Sequence, residues 1–238
     1  LGWVVGWFLF LLYLSAMPNV TIGISTMVGY LVPLDFAQLK ILACVIITVW
    51  FIMVNLEIKH LAKIQNIMFW STLVVSVGAS LIFIFSDQWK FSNLSPWFPK
   101  GAAGFAAGLG LLMFKFIGFD LIPQLVEESK FPRKKIIWGF IGSMLCTFLV
   151  YGLAVVAVSG IVTDEWIAEV DIVDPRVADL LGMHWLALVI IIMGAITCIT
   201  TLSGFWLAAS RTIFGAAQQG QVSRKLAVLN KHAQPWLA

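Results

Sequence analysis

The sequence predicts an all-α membrane protein with six transmembrane helices, and two observations carry that fold class. Hydrophobic residues make up 61% of the 238 positions and charged ones only 11%, against roughly 25% charged in ordinary soluble domains. The charges also gather in short stretches between apolar runs, most of them near the roughly 20 residues that a helix needs to cross a bilayer. The formal net charge of +3 sits in those connections, so it is no sign of a nucleic-acid surface. No basic stretch or cleavage pattern precedes the first run, so no signal peptide is read. The chain begins without methionine in apolar sequence and reads as a piece of a longer protein.

Each run follows from its flanking charges. The first covers about 2–32, with no charge before Asp35. The second, about 40–56, has 16 uncharged residues between Lys40 and Glu57, short but sufficient if its end groups reach back to the interface. The third is 64–86, between Lys63 and Asp87. The fourth is 101–126, the fifth 136–163 and the sixth 185–210, so that one partial transmembrane domain occupies 1–238. The connection at 163–184 carries Asp164, Glu165, Glu169, Asp171, Asp174 and Asp179 among apolar residues; short helices and a solvated loop both fit it.

With six crossings, ten cations fall on one side: Lys59, Lys63, Lys130, Arg133, Lys134, Lys135, Arg211, Arg224, Lys225 and Lys231. Four fall on the other: Lys40, Lys90, Lys100 and Arg176. Cytoplasmic loops collect Lys and Arg, which puts the richer side inside the cell. Trp89, Trp97, Trp166 and Trp185 lie near run ends, as interfacial aromatics do. Cys44, Cys146 and Cys198 lie within apolar runs at no metal-type spacing and read as buried small hydrophobes. Asn93-Leu94-Ser95 fits the glycosylation triplet, a weak signal.

The fourth run holds the chemistry. Phe114-Lys115-Phe116-Ile117-Gly118-Phe119-Asp120 sets two ionisable groups in an otherwise apolar stretch. Each costs roughly 2.5–3.5 kcal/mol at the centre of a membrane helix on insertion scales, and the usual reason to retain such groups is a solute or ion pathway. Five residues apart, Lys115 and Asp120 would diverge by about 140° on an unbroken helix. Gly118 marks a place for that helix to break, and a break frees backbone groups that bind solutes near the membrane midplane. An internal Lys115–Asp120 ion pair that only fastens helices is the structural alternative.

After these residues a family resemblance becomes specific. Phe116-Ile117-Gly118-Phe119-Asp120, with Glu127-Glu128-Ser129-Lys130-Phe131-Pro132-Arg133-Lys134, resembles the sixth helix and following loop of amino acid–polyamine–organocation permeases. Phe131 stands where that family usually has asparagine. Ser210-Arg211, Phe214, Ala217 and Gly220 resemble the end of its eighth helix, with Ser223 in place of the usual proline. The resemblance covers the whole chain as family helices three to eight. It implies part of a leucine-transporter-type inverted-repeat bundle that moves amino acids or related amines by alternating access, coupled to H+ or Na+ or by exchange, in the plasma membrane.

The resemblance also implies site residues. Leu12-Tyr13 to Pro18-Asn19 is similar to the third helix of basic amino acid exchangers, in which an asparagine faces the substrate. Asn19 therefore joins Phe114, Lys115, Phe116, Ile117, Gly118 and Asp120 as a substrate-binding candidate; an interhelical hydrogen bond is its other reading. Thr200, Thr201 and Ser203, beside Thr197, match a region that supplies cation oxygens in sodium-coupled relatives, although hydroxyls also bond to their own helix. Ser71 and Thr72 lie where some proton-coupled relatives carry a lysine. Neither is one, so the coupling ion stays open.

Other classes are weighed against this reading. A channel would need rings of charge or carbonyl motifs, which do not appear. His60, His184 and His232 lie far apart at run ends and loops, so no acid–base or metal set suggests an enzyme or a cofactor.

Overall fold

The computed structural model describes residues 2–54, 58–96, 100–118, 121, 132–229 and 235. Among them the chain is all-α: α1 Gly2–Leu31, α2 Phe36–Val54, α3 Ile58–Ile84, α4 Gly101–Lys115, α5 Arg133–Ser159, α6 Asp164–Glu169, α7 Val173–Leu180 and α8 His184–Gln218. Two 3₁₀ turns, Phe91–Leu94 and Arg224–Ala227, complete the regular helical structure described.

The expectation of six transmembrane helices is not met. Among the described residues four helices are long and apolar enough to cross a membrane: Gly2–Leu31, Lys63–Ile84, Lys135–Ser159 and His184–Gln218. The apolar parts of α2 and α4, Phe36–Ile52 and Gly101–Met113, are shorter. At 1.5 Å per residue they measure about 26 and 20 Å, less than the roughly 30 Å hydrocarbon core. An apolar run counts residues without knowing where the helix inside it stops. The chain is an integral membrane protein with four long apolar helices among the described residues, and the six-helix bundle expected from the run count is set aside.

The described chain forms two compact units. The first comprises 1–69, 120–130 and 195–238. Here α1 buries Tyr13, Ala16, Met17, Thr21, Ile24 and Ser25, a stripe at the three-to-four spacing of one helix face. Half of a capping box opens α2: the Gln38 side-chain oxygen reaches back to accept from the Asp35 N–H at 2.9 Å, while the Asp35 carboxylate accepts from the adjacent Phe36 N–H at 2.8 Å. A Cβ on Gly29 would lie 3.3 Å from the Leu39 side chain, so α1 and α2 approach closely there. Against them packs α8. Tyr13 stacks on Phe205 with ring centroids 5.8 Å apart, and Phe51 meets Trp206 at 5.1 Å.

The second unit comprises 70–119 and 131–194. Its core joins Ala79 and Phe83 of α3, Ala157 and Val158 of α5, Val177 and Ala178 of α7, and Leu186 and Ala187 of α8. The acidic connection is therefore helical rather than a solvated loop. Thr163 caps α6 by accepting from the Trp166 N–H at 3.5 Å. Trp166 and Ile167 pack on the core while Asp164, Glu165 and Glu169 stay exposed.

The segment after α3 docks on the end of α5. Trp89 Nε1 donates to the Val156 carbonyl at 3.2 Å, and the Gly160 carbonyl accepts from both the Lys90 N–H and Asn93 Nδ2 at 2.9 Å. The side-chain nitrogen of the glycosylation triplet is thus already bonded to protein. The three cysteines are not the buried residues expected: Cys44 is exposed, and Cys146 and Cys198 are half-buried.

Candidate functional site

The candidate site begins where α4 stops. The helix ends at Lys115, and 116–118 form a turn. The Phe116 N–H donates to the Met113 carbonyl at 3.2 Å, the three-residue closure that tightens many helix ends. Gly118 then takes φ +124°, a left-handed conformation in which a Cβ is strained. Nothing lies within 4 Å of a Cβ built there, so the backbone angle, not space, requires glycine. Sequence thus dictates the interruption: an apolar helix former runs to Lys115 and a glycine conformation closes it three residues later.

Phe116 and Ile117 are half-buried in this turn. The edge of one ring meets the face of the other where Phe116 packs on Tyr151 of α5, centroids 6.3 Å apart and planes at 89°. Phe114 and Lys115 belong to the last turn of α4, but their side chains lie outside the described residues, as does all of Asp120. The expected Lys115–Asp120 juxtaposition therefore falls outside the described structure.

The hydroxyl candidates are each accounted for. Thr200 and Thr201 both donate to the Thr197 carbonyl, at 2.8 and 2.9 Å. Ser203 is fully buried, donates to the Ile199 carbonyl at 3.0 Å and accepts from Trp50 Nε1 at 2.9 Å. Bonding to the hydroxyl's own helix, one of the two readings open from sequence, holds for all three. Ser71 and Thr72 are half-buried on α3. Asn19 projects from the exposed side of α1, away from the buried stripe of Tyr13, Met17 and Thr21. Asn19, Thr200, Thr201 and Ser203 belong to the first unit, and Ser71, Thr72 and Phe116–Gly118 to the second.

Sequence reading missed Trp50 and Tyr151. Both place a polar group in the middle of an apolar run rather than at its end, and a buried indole N–H needs an acceptor; that position was the available signal. A surface depression of about 420 Å³ is lined by Lys40, Ile41, Cys44, Val45, Thr48 and Val49 of α2 alone. A face of one helix cannot surround a solute, so we do not place the site there. Among the described residues no three His, Cys, Asp or Glu side chains gather as for a metal.

The profile of one known family, described as amino acid permease, matches residues 1–238. The chain belongs to this amino acid permease family. It is similar to the branched-chain amino acid permease BcaP of Bacillus subtilis, 27% identical over 260 residues that cover 100% of this chain and 55% of that protein. It is similar to the D-serine/D-alanine/glycine transporter of Escherichia coli, 27% identical over 84% of this chain and 38% of that one. A plant relative, the vacuolar cationic amino acid transporter 4 of Arabidopsis thaliana, is 28% identical over 92% of this chain and 40% of its own length. The chain spans about half, or less, of the curated relatives it matches. Membership puts it among permeases rather than enzymes.

Proposed function

We propose that the chain is part of a secondary transporter that carries amino acids or related amines across the plasma membrane by alternating access. The observation that carries this reading is the end of α4 at Lys115, followed by the Gly118 turn. Its 15 residues span about 22 Å, short of a roughly 30 Å hydrocarbon core. A helix entering at Gly101 would therefore place its carbonyl end within the membrane, where backbone must be satisfied by protein, water or a bound solute. Family membership supports amino acids as that solute, and the substrates named for the relatives differ in charge, so the class is amino acid or amine.

In this reading Asn19, Phe114, Lys115, Phe116, Ile117, Gly118 and Asp120 contact or surround the substrate, and 116–120 and 210–220 are the family's sixth-helix core and eighth-helix end. Ser71, Thr72, Thr200, Thr201 and Ser203 remain the coupling candidates for H+ or Na+. Ser203 is the weakest of them, because a Trp50 bond already occupies its oxygen. In sequence, Lys130, Arg133, Lys134 and Lys135 precede or open α5, while the acidic connection that follows its far end carries only Arg176 as a cation. The positive-inside rule then favours α5 starting in the cytoplasm. Purified full-length protein in liposomes should accumulate a labelled amino acid against its gradient under an imposed H+ or Na+ gradient, or exchange it for internal amino acid. Vesicles that do neither for neutral, cationic and acidic amino acids would refute it.

A further inference from the structure

We propose that Tyr151 is a positioning residue for transport, its ring holding the interrupted segment 116–118 against α5. The inference rests on the transport function proposed above. Tyr151 lies near the middle of α5, a helix otherwise lined by exposed apolar side chains such as Leu145, Phe148, Leu149 and Val155. Tyr151 is itself 41% exposed, so it is no core residue kept for packing density. Its aromatic contact is with Phe116, in the turn that separates Lys115 from Gly118.

The geometry suits a reversible clasp. An edge-to-face pair at 6.3 Å and 89° is near the favoured arrangement of two aromatic quadrupoles. The contact involves ring surfaces, so the phenol oxygen is dispensable while a flat ring is not. Helical hydrogen bonding reaches this segment through the Phe116 N–H to the Met113 carbonyl, and Gly118 then leaves helical space. The Phe116–Tyr151 contact adds a tie from the turn to a neighbouring helix. When the turn moves, the pair must separate, so its strength biases the equilibrium between the two arrangements. A pair of this kind shifts such an equilibrium by about two- to tenfold.

The test uses full-length protein whose Cys44, Cys146 and Cys198 are replaced by serine, with Ile117→Cys as reporter. N-ethylmaleimide should modify that cysteine about two- to tenfold faster when Tyr151→Leu is added, and at the parent rate with Tyr151→Phe. In liposomes, with Ile117 retained, Tyr151→Leu should shift KM and kcat by a similar factor at an unchanged melting temperature, and Tyr151→Phe should not. Combined with Phe116→Leu, Tyr151→Leu should add nothing further. Equal labelling rates in the Tyr, Phe and Leu proteins, or multiplicative effects of the two leucine changes, would overturn the inference. If Tyr151→Leu misfolds, Tyr151→Met is read by the same criteria. Faster labelling in a protein that moves no amino acid would instead count against the proposed function and leave the clasp standing.

Discussion

Adding one methyl group at Gly160 should destabilise the chain, although its backbone accepts alanine. Gly160 ends α5 at φ −73° and ψ −16°, ordinary helical angles, so the cost is one of space. A Cβ built there falls inside the indole ring of Trp89. The ring must leave, and with it goes the 3.2 Å bond from Trp89 Nε1 to the Val156 carbonyl, worth about 1 kcal/mol net. Crowding a packed site adds about 1–3 kcal/mol. Alanine recovers about 0.4–1 kcal/mol by restricting the unfolded chain. Gly160→Ala should therefore lose about 1–3.5 kcal/mol. Gly152 on the same helix has nothing within 4 Å of its virtual Cβ, so Gly152→Ala should gain about 0.4–1 kcal/mol. Thermal unfolding of the detergent-solubilised protein separates them, at roughly 2–4 °C per kcal/mol for a chain of this size. In a Trp89→Ala background the Gly160 penalty should largely vanish. A Gly160→Ala protein that melts as high as Gly152→Ala would refute the docking of the 89–93 segment on α5.

Three further outcomes test the site and its setting. Asn19→Ala should weaken substrate affinity with little change in melting temperature, since Asn19 is exposed on α1; normal binding with lost stability would make it a structural residue. We propose that Lys115 and Asp120 act as a pair in transport, so Lys115→Ala and Asp120→Asn should each abolish concentrative uptake, an ion left unpaired in the membrane costing about 3–5 kcal/mol. The double variant should fold yet stay uncoupled, and full pH-dependent uptake by it would reduce the pair to a fastening. Cysteines at Lys134 and Asp174 flank the single long helix Lys135–Ser159, so an impermeant thiol reagent should reach them from opposite faces; labelling of both from one face would exclude a crossing by α5.

The legible part of this fold was what periodic burial and glycine dictate locally. The apolar runs located α1, α3, α5 and α8, and Gly118 marked the interruption of the fourth run. Helix ends were harder. The second run was read as starting at Lys40, yet Asp35 and Gln38 cap α2 before it, and a lysine in a first turn does not stop a helix. The fourth run extends to 126 with its break expected near Gly118; α4 ends at Lys115, just before that glycine, and 119–120 and 122–131 lie outside the described residues. Contacts such as Asn93 to Gly160, separated by 67 residues, were beyond local reading, because nothing in either neighbourhood names its partner. Hydroxyls on α8 were ambiguous for a different reason: a serine in an apolar helix satisfies its own backbone and a bound ion with the same atom.

The carbonyl of Thr197 changes the chemistry of two hydroxyls at once. It absorbs the hydroxyl protons of both Thr200 and Thr201, which leaves the two oxygens turning only lone pairs to whatever approaches. Polar side chains that ordinarily give and accept have become one-sided, and the surface they form is a Lewis base without a proton to offer. We propose that such oxygens favour a cation or an ammonium group over a carboxylate, which would find no donor there.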